Sequence, residues 1–70
     1  MKYRDVTCKL SILGCQELPR RSGGSHRKWF NPRTQRLTTL PDWGKRDLKI
    51  GTVRAALRQL GIEWGDFEKA

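Results

Sequence analysis

The sequence has no long apolar run: of its 70 residues, 36% are hydrophobic and 31% are charged. A membrane-spanning helix needs roughly 20 consecutive apolar residues. An export signal is not expected either, because Lys2, Arg4 and Asp5 interrupt the first apolar positions. A chain this short buries only about 60% of its unfolded surface, too little for two cores. We therefore expect residues 1–70 to form a single soluble domain in the cytoplasm.

Cysteine and histidine are scarce. The chain contains only Cys8, Cys15 and His26 of these types, fewer ligands than a structural zinc site requires. We predict no metal ion and no cofactor. A secreted domain of this size usually carries more cysteines as disulfides, which favours a reducing compartment. We interpret both cysteines as small apolar fillers of the core.

Acidic residues are outnumbered, with 7 Asp and Glu against 15 Lys and Arg, a net charge of +8 and a pI near 10.4. Between Arg20 and Arg58 there are eleven basic residues and only two acidic ones, Asp42 and Asp47. Such a segment is the electrostatic footprint of a polyphosphate partner. An anionic membrane is normally met by a long basic amphipathic helix, which the sequence lacks. We expect nucleic acid, and no membrane, as the partner.

Apolar spacing predicts a first helix and a weak first strand. One stripe recurs at intervals of three and four: Tyr3, Val6, Leu10 and Leu13. Gly14 ends this helix, because glycine tolerates the left-handed conformation that follows a last turn. The next stretch, Cys15–Arg21, contains Pro19, which lacks the N–H that a central strand needs. It is an edge strand at best.

The middle of the chain predicts two further strands. A turn at residues 22–24 leads into a strand over Ser25–Phe30, and a turn at residues 31–34 returns the chain as a strand over Arg36–Leu40. Trp29 and Phe30 are adjacent and point to opposite faces, so the pattern leaves open which face His26 occupies. Residues 41–47 have no period and are predicted as a loop.

The clearest helix follows this loop. Its apolar stripe consists of Ile50, Val53, Leu57 and Leu60, with Ala56 beside them. Gly61 ends the helix, Arg54 and Arg58 face solvent, and the tail from Ile62 to Ala70 adds one short turn through Trp64 and Phe67. The order is α+β: a helix, a three-stranded antiparallel sheet and a helix, with both helices on one sheet face and the other face free for a ligand.

His26 is the best candidate for chemistry. It follows two glycines and precedes Arg27 and Lys28. An imidazole can take up and release protons near neutral pH, and positive neighbours stabilise charge on a phosphate under attack. A lone histidine is more often a surface residue or a hydrogen-bonded structural residue than a catalyst, so the residues alone leave catalysis open.

Two motifs resemble a known family. Gly24-Ser25-His26, followed by basic and aromatic residues, precedes Gly51-Thr52-Val53-Arg54, which opens a helix that ends Arg58-Gln59-Leu60-Gly61-Ile62, with Phe67 near the end. Together they resemble the HicA toxins of HicA–HicB modules over nearly the whole chain. The resemblance implies a fold like the double-stranded-RNA-binding domain (dsRBD), a metal-independent ribonuclease that cuts messenger RNA, and a HicB antitoxin that covers the active site. Cys15, Pro19 and a longer stretch from Gly14 to His26 depart from the family pattern.

Carried onto this sequence, the resemblance places the catalytic histidine at His26. The free toxin is expected to be a monomer and its antitoxin acidic. We expect Ser25 to donate a hydrogen bond to phosphate, since no acidic residue close in sequence completes a triad. The second proton-transfer group is left open between water, Lys28 and the substrate. The residues expected to bind RNA are Arg20, Arg21, Gly24, Ser25, Arg27, Lys28, Arg54 and Arg58.

Two other functions compete with this hypothesis. The first is a non-catalytic RNA-binding domain that recognises A-form RNA by its shape. The second is a DNA-binding accessory protein, which is disfavoured because the sequence has no helix-turn-helix pair to enter a major groove.

The charge distribution predicts that RNA binding weakens steeply with salt. Each neutralised phosphate releases counterions, so log K should fall against log salt with a slope of about −0.7 per contact on single strands. Fluorescence anisotropy of a labelled RNA at several salt concentrations measures this slope. An affinity that is indifferent to salt would contradict a polyanion as partner.

Overall fold

The first helix, α1 (Tyr3–Ile12), buries Tyr3, Val6 and Leu10 as its spacing predicts. Gly14, with φ of +92°, follows the helix in the left-handed region, as expected. Cys8 is exposed, so its interpretation as a core filler is wrong. It lies two residues from both Val6 and Leu10, roughly 200° around the helix from each, and therefore points to solvent. Cys15 is buried, and this burial raises the pKa of its thiol.

The computed structural model describes residues 1–19 and 25–70. After α1 come the strands β1 (Gln16–Glu17), β2 (His26–Asn31) and β3 (Arg36–Pro41), and then the helices α2 (Ile50–Leu60) and α3 (Trp64–Lys69). The predicted α+β, dsRBD-like order is confirmed, with α3 as a third helix where the tail was expected to add a turn. Among the described residues no helix is long and apolar enough to span a membrane. The predicted turn at residues 22–24 lies outside the described residues.

The sheet is antiparallel, in the order β1-β2-β3. The two-residue β1 is an edge strand, as Pro19 predicts, and Leu18 extends its pairing by donating its N–H to the Lys28 carbonyl at 2.9 Å. Strands β2 and β3 pair in full, from His26 with Pro41 to Asn31 with Arg36. This hairpin is the part of the sheet that carries the candidate site.

The helices cover one face of this sheet. Trp29 and Leu40 from the strands pack in one core with residues of all three helices. The helical contribution comprises Tyr3, Val6 and Leu10 from α1, Val53, Ala56, Leu57 and Leu60 from α2, and Phe67 from α3. The prediction is wrong for Ile50, which is 55% exposed. It begins α2 one turn before the first buried residue, Val53, and does not reach the core.

The end of α2 is joined to the hairpin turn by hydrogen bonds. The Leu60 carbonyl accepts Asn31 Nδ2 at 2.8 Å and Thr34 Oγ1 at 2.7 Å. Gly61 follows with φ of +73°, as its predicted position requires, and a Cβ added there would lie 2.9 Å from Thr34 Cγ2. The two hydrogen bonds hold the hairpin turn against the helix, and the close approach leaves no room for a side chain at position 61.

Two glycine substitutions should therefore have opposite effects. Gly61→Ala should lower the free energy of unfolding by about 1–3 kcal/mol, because it forces a left-handed alanine against Thr34. Gly51→Ala, in the first turn of α2 where nothing lies within 4 Å of the new Cβ, should raise it by up to about 1 kcal/mol. Urea unfolding measures the free energy of unfolding of both variants. If the two substitutions changed it equally, this account of Gly61 would be contradicted.

Candidate active site

The alternation of side chains along β2 sorts its residues onto two faces. Trp29 and Asn31 are buried beneath the helices, and Arg27 is half-buried on the same side. His26 and Lys28 are exposed on the opposite, open face, where Phe30 is half-buried. Successive strand residues point to opposite faces, so this pattern answers the question that the sequence left open. His26 lies on the face that none of the three described helices covers.

On the open face, His26 lies at one end and an apolar patch at the other. His26 pairs with Pro41, Lys28 with Thr39, and Phe30 with Leu37, which is 52% exposed. Alternate strand residues are about 7 Å apart, so Lys28 lies one such step from His26. An exposed imidazole and an exposed ammonium group in this arrangement can contact one phosphodiester.

Arg27 lies on the other face and is occupied there. Its Nη1 donates to Glu17 Oε2 at 3.1 Å, and its Nε is 3.0 Å from Asp42 Oδ2. Its guanidinium lies 5.7 Å from the centroid of the Tyr3 ring. The hydrogen bond to Glu17 raises the pKa of Arg27 further. Arg27 thus joins α1, β1 and the chain after β3, and the structure does not bring it together with His26.

Trp29 continues this support on the helix-facing side. Its Nε1 donates to the Tyr3 hydroxyl at 3.0 Å, and burial raises the pKa of that hydroxyl. Trp29 is therefore a core residue, whereas Phe30 is half-buried on the open face. Nothing in the sequence near Trp29 indicated Tyr3 as its partner, because the two residues lie on different elements.

The remaining predicted site residues fall into three places. Ser25 is exposed directly before β2. Arg54 and Arg58 lie on α2, on the helical side of the sheet, where they line a shallow groove of about 350 Å³. The guanidinium of Arg54 lies 4.8 Å from the centroid of the Trp64 ring. Arg20, Arg21 and Gly24 lie outside the described residues. Of the expected RNA contacts in the described part of the chain, Ser25 and Lys28 are therefore the ones near His26.

The sheet register also brings a loop to His26 that the sequence did not connect with it. Pro41 is the partner of His26, and the next residue, Asp42, donates its N–H to the Ser25 carbonyl. Residues 42–49 therefore begin beside the histidine. In residues 1–19 and 25–70 no group of three or more His, Cys, Asp and Glu side chains is placed to hold a metal ion.

One of three comparisons with known proteins found a match. A family model described as HicA toxin of bacterial toxin-antitoxin matches residues 3–62, which include every strand, α1, α2 and His26. No curated protein and no solved structure shows a significant match to the chain.

The two basic neighbours of His26 should respond differently to removal of their charge. Lys28→Gln should leave the melting temperature unchanged, because Lys28 is exposed, and should reduce the salt slope of RNA binding by about 0.7. Arg27→Gln should lower the melting temperature, because Glu17 and Asp42 lose their common cation. Thermal unfolding and RNA anisotropy distinguish the two variants. If both variants bound RNA equally weakly and had the same melting temperature, the separation of Arg27 and Lys28 onto two faces would be contradicted.

Proposed function

Because this chain belongs to the HicA toxin family of bacterial toxin–antitoxin modules, we propose that it is an endoribonuclease that cleaves messenger RNA with His26 as its catalytic residue. The observation that carries this proposal is the position of His26. The chain's single histidine lies exposed on the uncovered sheet face, with the ammonium group of Lys28 on the same face. An exposed imidazole on this face is accessible to a substrate, as a buried structural histidine would not be.

In the proposed reaction, His26 accepts the proton of a ribose 2′-hydroxyl while the 2′-oxygen attacks the adjacent phosphorus. The new bond joins the 2′-oxygen to phosphorus, and the bond from phosphorus to the 5′-oxygen of the next nucleotide breaks. That oxygen takes a proton from water or from Lys28. The products are a 2′,3′-cyclic phosphate and a free 5′-hydroxyl, with no change in oxidation state.

Charge stabilisation comes from the open face and the segment before β2. Lys28 is placed to balance the negative charge that builds on the phosphate. We propose that Ser25 donates a hydrogen bond to phosphate. We also propose that the RNA strand is contacted by residues that precede His26 in the sequence: Arg20, Arg21 and Gly24. Arg27 supports β2 from the other face, and Arg54 and Arg58 have no role at the reacting phosphate.

A toxin of such a module has an antitoxin partner. We propose that this partner is a HicB-like acidic protein that covers His26 and Lys28, so that antitoxin and RNA compete for the open face in the cytoplasm. Complementary charge would speed its association with this basic chain. The free toxin is proposed to be a monomer, with the open face available to either ligand.

Substitution of the histidine tests the reaction. His26→Ala should reduce cleavage of a labelled RNA by about 10²- to 10⁴-fold, the contribution of a positioned acid or base, and should leave RNA affinity nearly unchanged. An RNA with 2′-deoxyribose at the cleaved position should resist the unmodified enzyme. Cleavage should also survive a strong chelator.

Two results would overturn this reaction. RNA that is bound but never cleaved would support the non-catalytic RNA-binding domain instead. Activity lost in chelator and restored by a divalent ion would show that the proton transfers do not rest on His26 alone.

A further inference from the structure

The loop that follows β3 begins directly after Pro41, the strand partner of His26, and carries an aromatic ring and several cations. Trp43 is 37% exposed, and the guanidinium of Arg46 lies 5.7 Å from the centroid of its ring. The other two tryptophans are engaged elsewhere: Trp29 is buried and bonded to Tyr3, and Trp64 packs against the core next to Phe67 at 5.6 Å. Trp43 is thus the tryptophan whose ring the core does not require.

Several contacts hold this loop in place. The Asp42 carboxylate contacts Arg27 and accepts the Gly44 N–H at 3.1 Å. Gly44 adopts φ of +63°, and the Arg46 N–H donates to the Trp43 carbonyl at 3.2 Å, which closes the turn. At its far end, the buried Leu48 donates its N–H to the Met1 carbonyl at 2.7 Å. The ring is therefore presented by an anchored turn.

The register places this turn within reach of the histidine. Trp43 follows Pro41, the partner of His26, by two residues, a distance of at most about 7 Å along the chain. Paired Cα atoms in an antiparallel sheet are about 5 Å apart. The Cα atoms of Trp43 and His26 are then within roughly 12 Å, close enough for neighbouring nucleotides of one strand to contact both.

The charge around Trp43 favours a polyanion over a protein surface of mixed charge. Lys45, Arg46 and Lys49 are exposed. Of the two carboxylates of the loop, Asp42 contacts Arg27, which leaves Asp47 among three exposed cations. An aromatic ring among unbalanced cations is the combination that binds single-stranded nucleic acid, in which unpaired bases stack on the ring and phosphates meet the cations.

We propose that Trp43 and Arg46 form a stacking subsite for one unpaired RNA base next to the nucleotide cleaved at His26. This inference rests on the proposed function and adds the substrate class: RNA that is single-stranded at the cleavage site. A base in a duplex is already stacked and paired, and would have to be extruded to reach the ring.

The test measures affinity by fluorescence anisotropy in a His26→Ala background, with single-stranded RNAs that each lack one base. Trp43→Ala should weaken binding of the intact RNA about 5- to 150-fold, the effect of losing one base stack, and Trp43→Phe should recover most of it. Removal of one particular base from the RNA should weaken its binding to the protein that keeps Trp43 by the same factor as Trp43→Ala does. The same removal should leave the affinity of the Trp43→Ala protein unchanged. Arg46→Ala should weaken binding more than its matched control Arg33→Ala, at the opposite end of the hairpin.

The outcomes separate this inference from the proposed reaction. Two results would overturn the stacking subsite alone. The first is normal cleavage together with an RNA affinity that Trp43→Ala does not change. The second is a loss of RNA affinity in Trp43→Ala that adds to the loss caused by removing each base in turn. A Trp43→Ala protein that binds RNA normally and loses affinity for the antitoxin would show a protein contact instead, and would also overturn it. The base-specific coupling, together with no cleavage by the unsubstituted protein that keeps His26, would support the subsite and contradict the ribonuclease.

Discussion

The side-chain alternation of β2, held in one register by the polar contacts of three of its residues, is the constraint on which the site depends. Arg27 joins Glu17 and Asp42, Trp29 donates to Tyr3, and Asn31 donates to the Leu60 carbonyl. A slip of one residue would place a guanidinium and an amide on the open face and would bury His26. Each contact reaches a different element, so the strand that carries the histidine is fixed from the core side.

This arrangement divides the basic charge of the chain by role. Arg27 is balanced within the fold, and Arg54 and Arg58 lie on the helical layer. Lys28 shares the open face with His26, while Lys45 and Arg46 lie on the loop that starts beside it. The continuous basic segment of the sequence is therefore several separate surfaces, of which a part faces the proposed substrate.

The match between the sequence pattern and the structure is close for the scaffold. The α1 stripe, the edge character of β1, the β2–β3 hairpin and Gly61 were all predictable, because each follows from local rules of periodicity, proline and glycine. Cys8 departed from its predicted burial because it lies on the face of α1 opposite Val6 and Leu10. Ile50 departed from its predicted burial because burial also depends on where a helix meets the sheet. Nothing in periodicity marks the point at which a helix leaves the core.

For the site, the sequence by itself determined the chemistry available: one histidine, a large excess of cations, and membership of the HicA toxin family. Only the tertiary structure decided which of these residues share a face. It separated Arg27 from His26, although they are adjacent in the chain, and brought Pro41 and the Trp43 loop to the histidine from fifteen or more positions away. The physical reason is that neighbours on a strand point in opposite directions, whereas residues joined across a ladder point in the same one.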